Sequence, residues 1–174
     1  MKVGTSHGTH CSIWPESTMK KCTLLFLLRD DEILLAMKKR GFGVGRWNGV
    51  GGKIEPDETE KQALVRECQE EIEVTPLDFE KVAVLDFEFP DGIIDMQGNV
   101  YFCTKWRGEP QETEEMAPQW YKTTDIPYDE MWQDDIVWLP QVLKGKKLRA
   151  RFTFDQDDIM ITAALSLTTS LEHE

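Results

Sequence analysis

Apolar residues along the chain occur in short runs separated by turn-forming residues, which is typical of strands. Residues 23–28 and 33–38 are apolar runs with Arg-Asp-Asp-Glu between them, so they predict two strands joined by a turn. A glycine-rich loop at 40–46 precedes a short predicted strand at 47–52. Further strands are predicted at residues 79–88, 100–105, 119–122, 149–154 and 159–165, with turns at 91–92, 97–98 and 155–158.

Two segments show the spacing of an amphipathic helix instead. Thr59 and Gln62 fit a capping box at the start of the first helix. Apolar residues then recur at helical spacing, at Ala63, Leu64, Cys68 and Ile72. A second helix is predicted at residues 134–143, with an inner face of Ile136, Leu139, Val142 and Leu143. Strands mixed with two helices indicate an α+β domain.

The length of 174 residues suits one domain with a single sizeable core. Residues 1–18 are polar and lack apolar periodicity, so we expect a disordered, dispensable extension before a domain at 19–174. That segment also lacks arginine, which argues against a mitochondrial leader. The 4 cysteines form no CxxC pair, which indicates free thiols in a reducing compartment.

The charge balance excludes one class of partner. With 32 acidic and 20 basic residues the formal net charge is -12, and such a surface repels the phosphates of long DNA or RNA. An acidic protein can still bind a small polyphosphate when metal cations bridge the two. The longest apolar run, residues 24–28, is far shorter than a membrane span, so we expect no membrane contact.

The segment from residue 52 to residue 74 carries the candidate chemistry. Glu67, Glu70 and Glu71 are spaced i, i+3 and i+4, which places three carboxylates on one face of the first helix. Clustered oxygen ligands suit Mg²⁺, and Arg66 can pair with Glu70 one turn on to hold the array. The alternative is a solvated acidic face, which is what a run of charges usually means.

The context of these glutamates is more specific than the glutamates themselves. Gly51 and Gly52 allow a backbone carbonyl to approach a metal ion closely. The whole segment resembles the Nudix box, at Gly52, Glu58, Arg66, Glu67, Cys68, Glu70, Glu71 and Val74. Glu73 stands where the box has a glycine that ends the helix in the left-handed conformation, at an expected cost of roughly 1 kcal/mol.

The resemblance extends to the MutT-type branch of the Nudix family, which hydrolyses oxidised purine nucleoside triphosphates. It rests on residues 37–43, 47–49, 87–89, 115–116 and 131–135. It implies an α/β/α sandwich with a mixed sheet and two main helices. The implied metal ligands are the Gly51 carbonyl, Glu67, Glu70, Glu71 and Glu115. The implied base pocket consists of Thr23, Lys38, Phe42, Asn48, Phe87, Trp132, Asp134 and Asp135.

Several side chains of that implied pocket suit a purine. Trp132 offers a flat face for stacking, which is worth roughly 1–3 kcal/mol per base in other systems, whereas we expect Trp138 to be a core residue. Asn48 carries both a donor and an acceptor. Asp134 and Asp135 repel each other beside apolar residues, so one of them should have a raised pKa and donate while its neighbour accepts. The alternative is a helix N-terminus whose dipole favours two acids.

The activity implied by the resemblance is release of pyrophosphate with Mg²⁺, for which Mn²⁺ can substitute. The implied catalytic residues are Arg66, Glu67, Glu70 and Glu71, with Glu71 preferred as the general base. One rival is a Nudix hydrolase of ADP-ribose or a dinucleoside polyphosphate. A second rival is a non-catalytic Nudix-fold binding module, which would be expected to have lost box carboxylates. We expect a monomer that binds a small nucleotide in the cytoplasm, with the mitochondrial or nuclear pools as alternatives.

Overall fold

A computed structural model of the chain describes residues 19–90 and 95–171. Within these residues the chain forms eight strands and two α-helices. In chain order they are β1 (Lys20–Arg29), β2 (Glu32–Lys38), β3 (Trp47–Asn48), α1 (Glu60–Ile72), β4 (Thr75–Glu88), β5 (Asp95–Arg107), β6 (Met116–Lys122), α2 (Asp135–Leu143), β7 (Lys147–Phe154) and β8 (Met160–Thr168).

The strands form one sheet in the order β3-β2-β1-β5-β4-β7-β8, and β6 also pairs with β2. The β1–β5 and β4–β7 pairs are parallel, whereas the other described pairs are antiparallel. The sheet is therefore mixed. The α+β class with a mixed sheet and two main helices, as expected from the sequence, is confirmed.

The sheet separates two apolar cores, one under each helix. Strand β1 serves both, because successive side chains of a strand point to opposite faces. Phe26 packs in the core that holds Trp138 of α2, whereas Leu25 and Leu27 pack in the core that holds Leu64 of α1. The molecule is thus an α/β/α sandwich, with α1 on one face of the sheet and α2 on the other.

Capping interactions define both ends of helix α1. The Thr59 side chain accepts the Gln62 N–H, and the Gln62 side chain accepts the Thr59 N–H, so the predicted capping box is confirmed. Glu73 ends the helix in the left-handed region, at φ 59° and ψ 29°. The backbone N–H of Val74 then donates to the Cys68 carbonyl, which closes the helix end.

Replacing Glu73 with glycine is expected to raise the free energy of unfolding by about 0.5–1 kcal/mol. A side chain in the left-handed region costs roughly 1–2 kcal/mol, and part of that gain is lost to the greater freedom of glycine in the unfolded chain. Urea unfolding of both proteins measures the difference. A matched Gln69→Gly change inside α1 should lower stability instead, and equal losses in both variants would contradict the assignment of strain at Glu73.

The glycine-rich segment after β3 crosses β1 at close range. Backbone hydrogen bonds join Val50 to Leu25 in both directions and Gly52 to Thr23. A Cβ on Gly51 would lie 1.9 Å from the Thr23 carbonyl oxygen, so only glycine allows this approach. The strand predicted at 47–52 ends early, at Asn48, where it pairs with β2, and the residues beyond it meet β1 through isolated bridges.

Two local predictions from the sequence are wrong. Gln97 and Gly98 do not form a turn but lie within β5, where Gly98 pairs with Leu85 of β4. Ile136 does not face the core and is 57% exposed, because α2 turns Trp138 inward instead. Leu139 and Val142, which the helical spacing also predicts to face inward, are buried.

The described cysteines Cys22, Cys68 and Cys103 are free, as the sequence predicts. In the part of the chain that the structure describes, no helix combines the length and apolar character needed to span a membrane. The predictions for residues 1–18 and for a turn at 91–92 lie outside the described residues.

Candidate active site

A cavity of about 600 Å³ lies on the α2 side of the sheet and extends to the glycine segment beside α1. A cavity of this size suits a small molecule such as a nucleotide. The residues that the sequence proposes for a base pocket all line it, namely Thr23, Lys38, Phe42, Asn48, Phe87, Trp132, Asp134 and Asp135. The structure therefore brings together residues from positions 23 to 135 of the chain at one surface.

Two acidic side chains, Asp134 and Asp135, are almost fully buried in the wall of this cavity, at 2% and 3% exposure. Asp134 is the N-cap residue of α2 and Asp135 is its first residue, but the Asp134 side chain does not cap the helix. Instead, its Oδ2 accepts the indole N–H of Trp138 at 3.0 Å. Within the described residues, Asp134 Oδ1 and Asp135 Oδ2 are buried without a hydrogen-bond partner.

Burial changes the acidity of both carboxyls. Burial raises the pKa of Asp134 to about 6, although the hydrogen bond from Trp138 favours its charged form. Burial and the neighbouring Asp134 charge raise the pKa of Asp135 further above its ordinary value. Both carboxyls are therefore protonated more readily than an exposed aspartate, and each charge disfavours ionisation of its neighbour.

Aromatic rings form another wall of the cavity. The rings of Phe42 and Trp132 stack with centroids 5.1 Å apart and an interplanar angle of 27°. Phe89 meets Trp132 edge-on and stacks on Phe154 at 5.1 Å. Phe42 is 50% exposed, so one side of this wall is open to solvent. The wall offers apolar surface of the kind that binds a flat, polarisable ring.

Polar groups on the strands complete the cavity wall. Asn48 accepts the Gly49 N–H through Oδ1 at 2.8 Å, which leaves its amide nitrogen as the donor. Thr23 is 2% exposed, and in the described residues its Oγ1 is buried without a partner. Together with the acid pair, these groups supply donors and acceptors beside the aromatic wall.

The three α1 glutamates do not themselves line the cavity, but Glu71 bonds to Gly51 and Lys38, which do. Glu71 is the most buried of the three glutamates, at 4% exposure. Its Oε2 accepts the Gly51 N–H at 3.0 Å and its Oε1 accepts from Lys38 Nζ at 3.3 Å. Burial raises the pKa of Glu71, while Lys38 and the Gly51 N–H act in the opposite direction.

Arg66 holds the other two glutamates in place. Its Nη1 donates to Glu67 Oε1 at 2.8 Å and to Glu70 Oε2 at 3.3 Å, so the predicted pairing with Glu70 is present. Its Nε and Nη2 donate to Glu58, and this contact lowers the pKa of the Glu58 carboxyl to about 2. Arg66 contacts carboxylates and the Lys53 carbonyl, so its role here is to position α1 side chains.

Glu115 approaches from the loop before β6 and lines the cavity. Arg40 donates to Glu115 and lowers the pKa of its carboxyl. The loop is anchored to α1, because the Thr113 hydroxyl donates to the Glu71 carbonyl at 2.8 Å and accepts the Glu115 N–H. Lys38 Nζ lies 3.9 Å from Glu115 Oε2 and thus stands between Glu115 and Glu71.

The proposed metal ligands fit a divalent cation in their chemistry. Their donor set consists of oxygen atoms, which Mg²⁺ prefers. A Cβ on Gly52 would lie 2.5 Å from the Glu67 carboxylate, so glycine leaves room where that carboxylate meets the backbone. Within the described residues, no three ligating side chains already converge on one point, because Arg66 and Lys38 draw the glutamates to separate partners.

The sequence did not identify every residue that lines the cavity. Trp138 is a core residue, as expected, but it also donates to Asp134. The spacing of Trp138 four residues after Asp134 on a helix was a signal for this contact. Met96, Gly98 and Phe154 also line the cavity, and nothing in their local pattern pointed to it.

The chain resembles known proteins over most of its length. The NUDIX domain matches residues 20–142. The oxidized purine nucleoside triphosphate hydrolase of Danio rerio is 40% identical over 144 residues, which cover 83% of this chain and 92% of that protein. The protein of the same name in Mus musculus is 38% identical over 149 residues, which cover 86% of this chain and 96% of that protein.

A solved structure shows the same fold. The MutT protein of Bacillus halodurans has a TM-score of 0.76 and 23% identity, with 85% of this chain and 98% of that chain covered. The resemblance carried by residues 52–74 is thereby confirmed at the level of the family. By its domain match and its two close relatives, this chain belongs to the NUDIX family.

Proposed function

We propose that this protein hydrolyses oxidised purine nucleoside triphosphates, of the 8-oxo-dGTP and 2-hydroxy-dATP type, to the monophosphate and pyrophosphate. It would thereby remove damaged precursors from the nucleotide pool. The observation that carries the proposal is the acid pair, since Asp134 Oδ1 and Asp135 Oδ2 are buried in the cavity wall without partners in the described residues. A ligand that pairs with such groups removes a free-energy penalty, which favours a matching base.

The acid pair suits two related bases. With one proton shared between them, one carboxyl would donate and the other accept, and movement of that proton would reverse the pattern. The first arrangement would serve oxidised guanine and the second oxidised adenine. Trp132 would stack on the base in place of the Phe42 ring, which is 50% exposed, while the Arg46 guanidinium stays over the same indole. The Asn48 amide would bind a further polar atom of the purine.

The relatives support the same substrate class. The zebrafish and mouse proteins are both named oxidized purine nucleoside triphosphate hydrolase. A protein of Escherichia coli that is 39% identical over 80 residues is named 8-oxo-dGTP diphosphatase, although that match covers 46% of this chain. All box carboxylates are present here, which disfavours a non-catalytic binding module.

The residues around α1 would carry the chemistry. Nudix hydrolases generally use a divalent cation, and we propose Mg²⁺ with Mn²⁺ as a substitute, which would neutralise phosphate charge and activate water. Glu67, Glu70, Glu71, Glu115 and the Gly51 carbonyl would hold it. Glu71 would accept the proton of the attacking water, because the Gly51 N–H holds its carboxylate in place.

Lys38 and Arg66 would support this chemistry without taking the proton. Lys38 lies between Glu71 and Glu115 and lines the cavity, so its ammonium group would bind a phosphate oxygen. Arg66 would keep Glu67 and Glu70 in position. The aromatic wall and the acid pair would fix the base, which orients the phosphate chain towards α1.

Product analysis with and without a divalent cation tests the catalytic part of the proposal. With 8-oxo-dGTP and Mg²⁺, we expect 8-oxo-dGMP and pyrophosphate in equal amounts. A chelator should abolish turnover, and added Mg²⁺ or Mn²⁺ should restore it. Release of orthophosphate, or turnover that survives chelation, would contradict the mechanism. Binding of the nucleotide without turnover would favour the binding module.

We also propose a monomer that acts in the cytoplasm, with the mitochondrial or nuclear pools as alternatives. The free thiols of Cys22, Cys68 and Cys103 support a reducing compartment. Sedimentation measurements at several protein concentrations test the monomer, and a concentration-dependent dimer would contradict it.

A further inference from the structure

We propose that Arg46 and Asp158 are positioning residues that hold Trp132 in the orientation in which it stacks on the base. The inference rests on the proposed function, because it takes Trp132 as the stacking face. Neither Arg46 nor Asp158 lines the cavity. Both act through Trp132, and we therefore expect them to change substrate binding and not the chemical step.

Arg46 covers the indole of Trp132. The guanidinium carbon lies 4.0 Å from the ring centroid, which is a cation–π contact. The backbone of Arg46 is fixed on both sides, since its N–H donates to the Gly43 carbonyl and its own carbonyl accepts the Lys38 N–H. The guanidinium thus reaches Trp132 from an anchored part of the chain.

Asp158 forms an ion pair with that guanidinium. Its Oδ2 lies 3.9 Å from Arg46 Nη1, within the turn that joins β7 and β8. The turn is closed by the Asp155 side chain, which accepts the N–H groups of Asp157 and Ile159. Asp158 itself adopts a left-handed backbone with φ 60°, which aspartate tolerates better than most residues. A rigid turn therefore presents the carboxylate.

A second contact ties the same hairpin to the Trp132 segment. Gln133 accepts the Met160 N–H through Oε1 at 2.8 Å. Trp132 lies outside any helix or strand, three residues before the start of α2, where its carbonyl accepts the Asp135 N–H and its ring packs against Phe89 and Phe154. The start of β8 therefore binds Gln133, the residue after Trp132, and the turn before β8 binds Arg46, whose guanidinium lies over the Trp132 ring.

The expected effect is on KM. Without the cation over its ring, the indole is less restricted in the free protein, and the nucleotide must order it on binding. We expect Arg46→Met to raise KM for 8-oxo-dGTP about three- to tenfold, in line with the strength of cation–π contacts. The value of kcat should stay within about twofold, because no described contact joins Arg46 or Asp158 to the α1 glutamates.

The experiment compares Arg46→Met, Arg46→Lys, Asp158→Asn and the double variant Arg46→Met/Asp158→Asn by steady-state kinetics on 8-oxo-dGTP. Asparagine also tolerates the left-handed backbone, so Asp158→Asn removes the charge alone. It should raise KM about twofold, as expected of an exposed ion pair. In the double variant KM should match that of Arg46→Met, because Asp158 acts through Arg46. Arg46→Lys should recover part of the loss.

Arg29→Met is the matched control. Arg29 also lies over an indole, 3.9 Å from the Trp120 ring centroid, and also pairs with a carboxylate, Glu32. Neither Arg29 nor Trp120 lines the cavity. This variant loses the same kind of contact, so it should match Arg46→Met in any loss of melting temperature while KM remains that of the parent.

The outcomes separate the inference from the function on which it rests. If Trp132→Ala raises KM and Arg46→Met leaves it unchanged, the positioning role is wrong and the proposed base site stands. If Arg46→Met lowers kcat without a change in KM, the positioning role is also wrong. If Trp132→Ala leaves KM unchanged, the stacking assignment itself fails and the inference falls with it.

Discussion

Replacing Glu71 with glutamine is expected to lower kcat by about a hundredfold or more, the usual effect of losing a general base. Glutamine has nearly the same volume and its amide oxygen can still accept the Gly51 N–H, so the helix should stay in place. What is lost is the negative charge next to Lys38 and the atom that takes the proton. The change therefore separates the chemical role of Glu71 from its packing role.

The measurement is turnover of 8-oxo-dGTP at saturating Mg²⁺, so that weaker cation binding does not hide the effect on kcat. Glu73→Gln is the matched control, because it makes the same chemical change two residues along, at an exposed position. The control should keep the turnover of the parent. If Glu71→Gln also kept it, the assignment of Glu71 as the base would be wrong.

Replacing Asp134 or Asp135 with asparagine is expected to raise KM for oxidised purine nucleotides about ten- to hundredfold, which corresponds to loss of a hydrogen bond to a charged or protonated carboxyl. The ratio between oxidised guanine and oxidised adenine should change as well, since an amide cannot exchange a proton with its neighbour. The Mg²⁺ requirement should not change, because the pair lies on α2 and the glutamates on α1.

Steady-state kinetics of both variants on oxidised dGTP, oxidised dATP and ordinary dGTP, across Mg²⁺ concentrations, measure this effect. Equal losses on all three nucleotides with a changed Mg²⁺ requirement would place the pair at the metal site instead. Asp86→Asn is a suitable control, since Asp86 is an acid on β4 that does not line the cavity.

Asp134→Asn is also expected to change how the stability of the protein depends on pH. Burial raises the folded-state pKa of Asp134 from its ordinary 3.8 to about 6, so the folded protein binds a proton more tightly than the unfolded chain. The stability linked to that proton is fully present below pH 3.8 and is lost as pH rises through about 6. Asp134→Asn cannot ionise, so its melting temperature relative to the parent should increase from pH 4 to pH 8. A difference that stays constant across this range would contradict the raised pKa.

The sequence predicts which segments form helices and strands better than it predicts which side of each element is buried. Periodicity and the Thr59 capping box were sufficient for α1, and alternation was sufficient for β1 and β2. Ile136 was misplaced because apolar residues occur on both sides of α2, and only packing against the sheet selects Trp138. The pattern around Gly98 predicts a turn, but the same local pattern also occurs where a glycine lies inside a strand, as Gly98 does in β5.

In the candidate site, too, some features follow from the local sequence and others depend on the folded chain. Local spacing placed the glutamates on one face of α1, but the family resemblance was needed to propose one pocket for residues as distant as Thr23 and Asp135. The sequence indicates that one acid of the pair has a raised pKa, whereas the structure shows that burial raises the pKa of both and that Asp134 accepts the Trp138 indole N–H. Arg46 could not be found from the sequence, because its partners Trp132 and Asp158 approach it only in the folded chain.

The most direct test of the central claim is the specificity constant kcat/KM for a panel of nucleotides under one set of conditions with Mg²⁺. The panel contains 8-oxo-dGTP, 2-hydroxy-dATP, dGTP, dATP, ADP-ribose and a dinucleoside polyphosphate, with pyrophosphate or monophosphate release as the readout. A buried polar site that matches its ligand should favour both oxidised purine triphosphates over their ordinary forms by about tenfold or more. A higher kcat/KM for ADP-ribose or the dinucleoside polyphosphate, or equal values for 8-oxo-dGTP and dGTP, would contradict it.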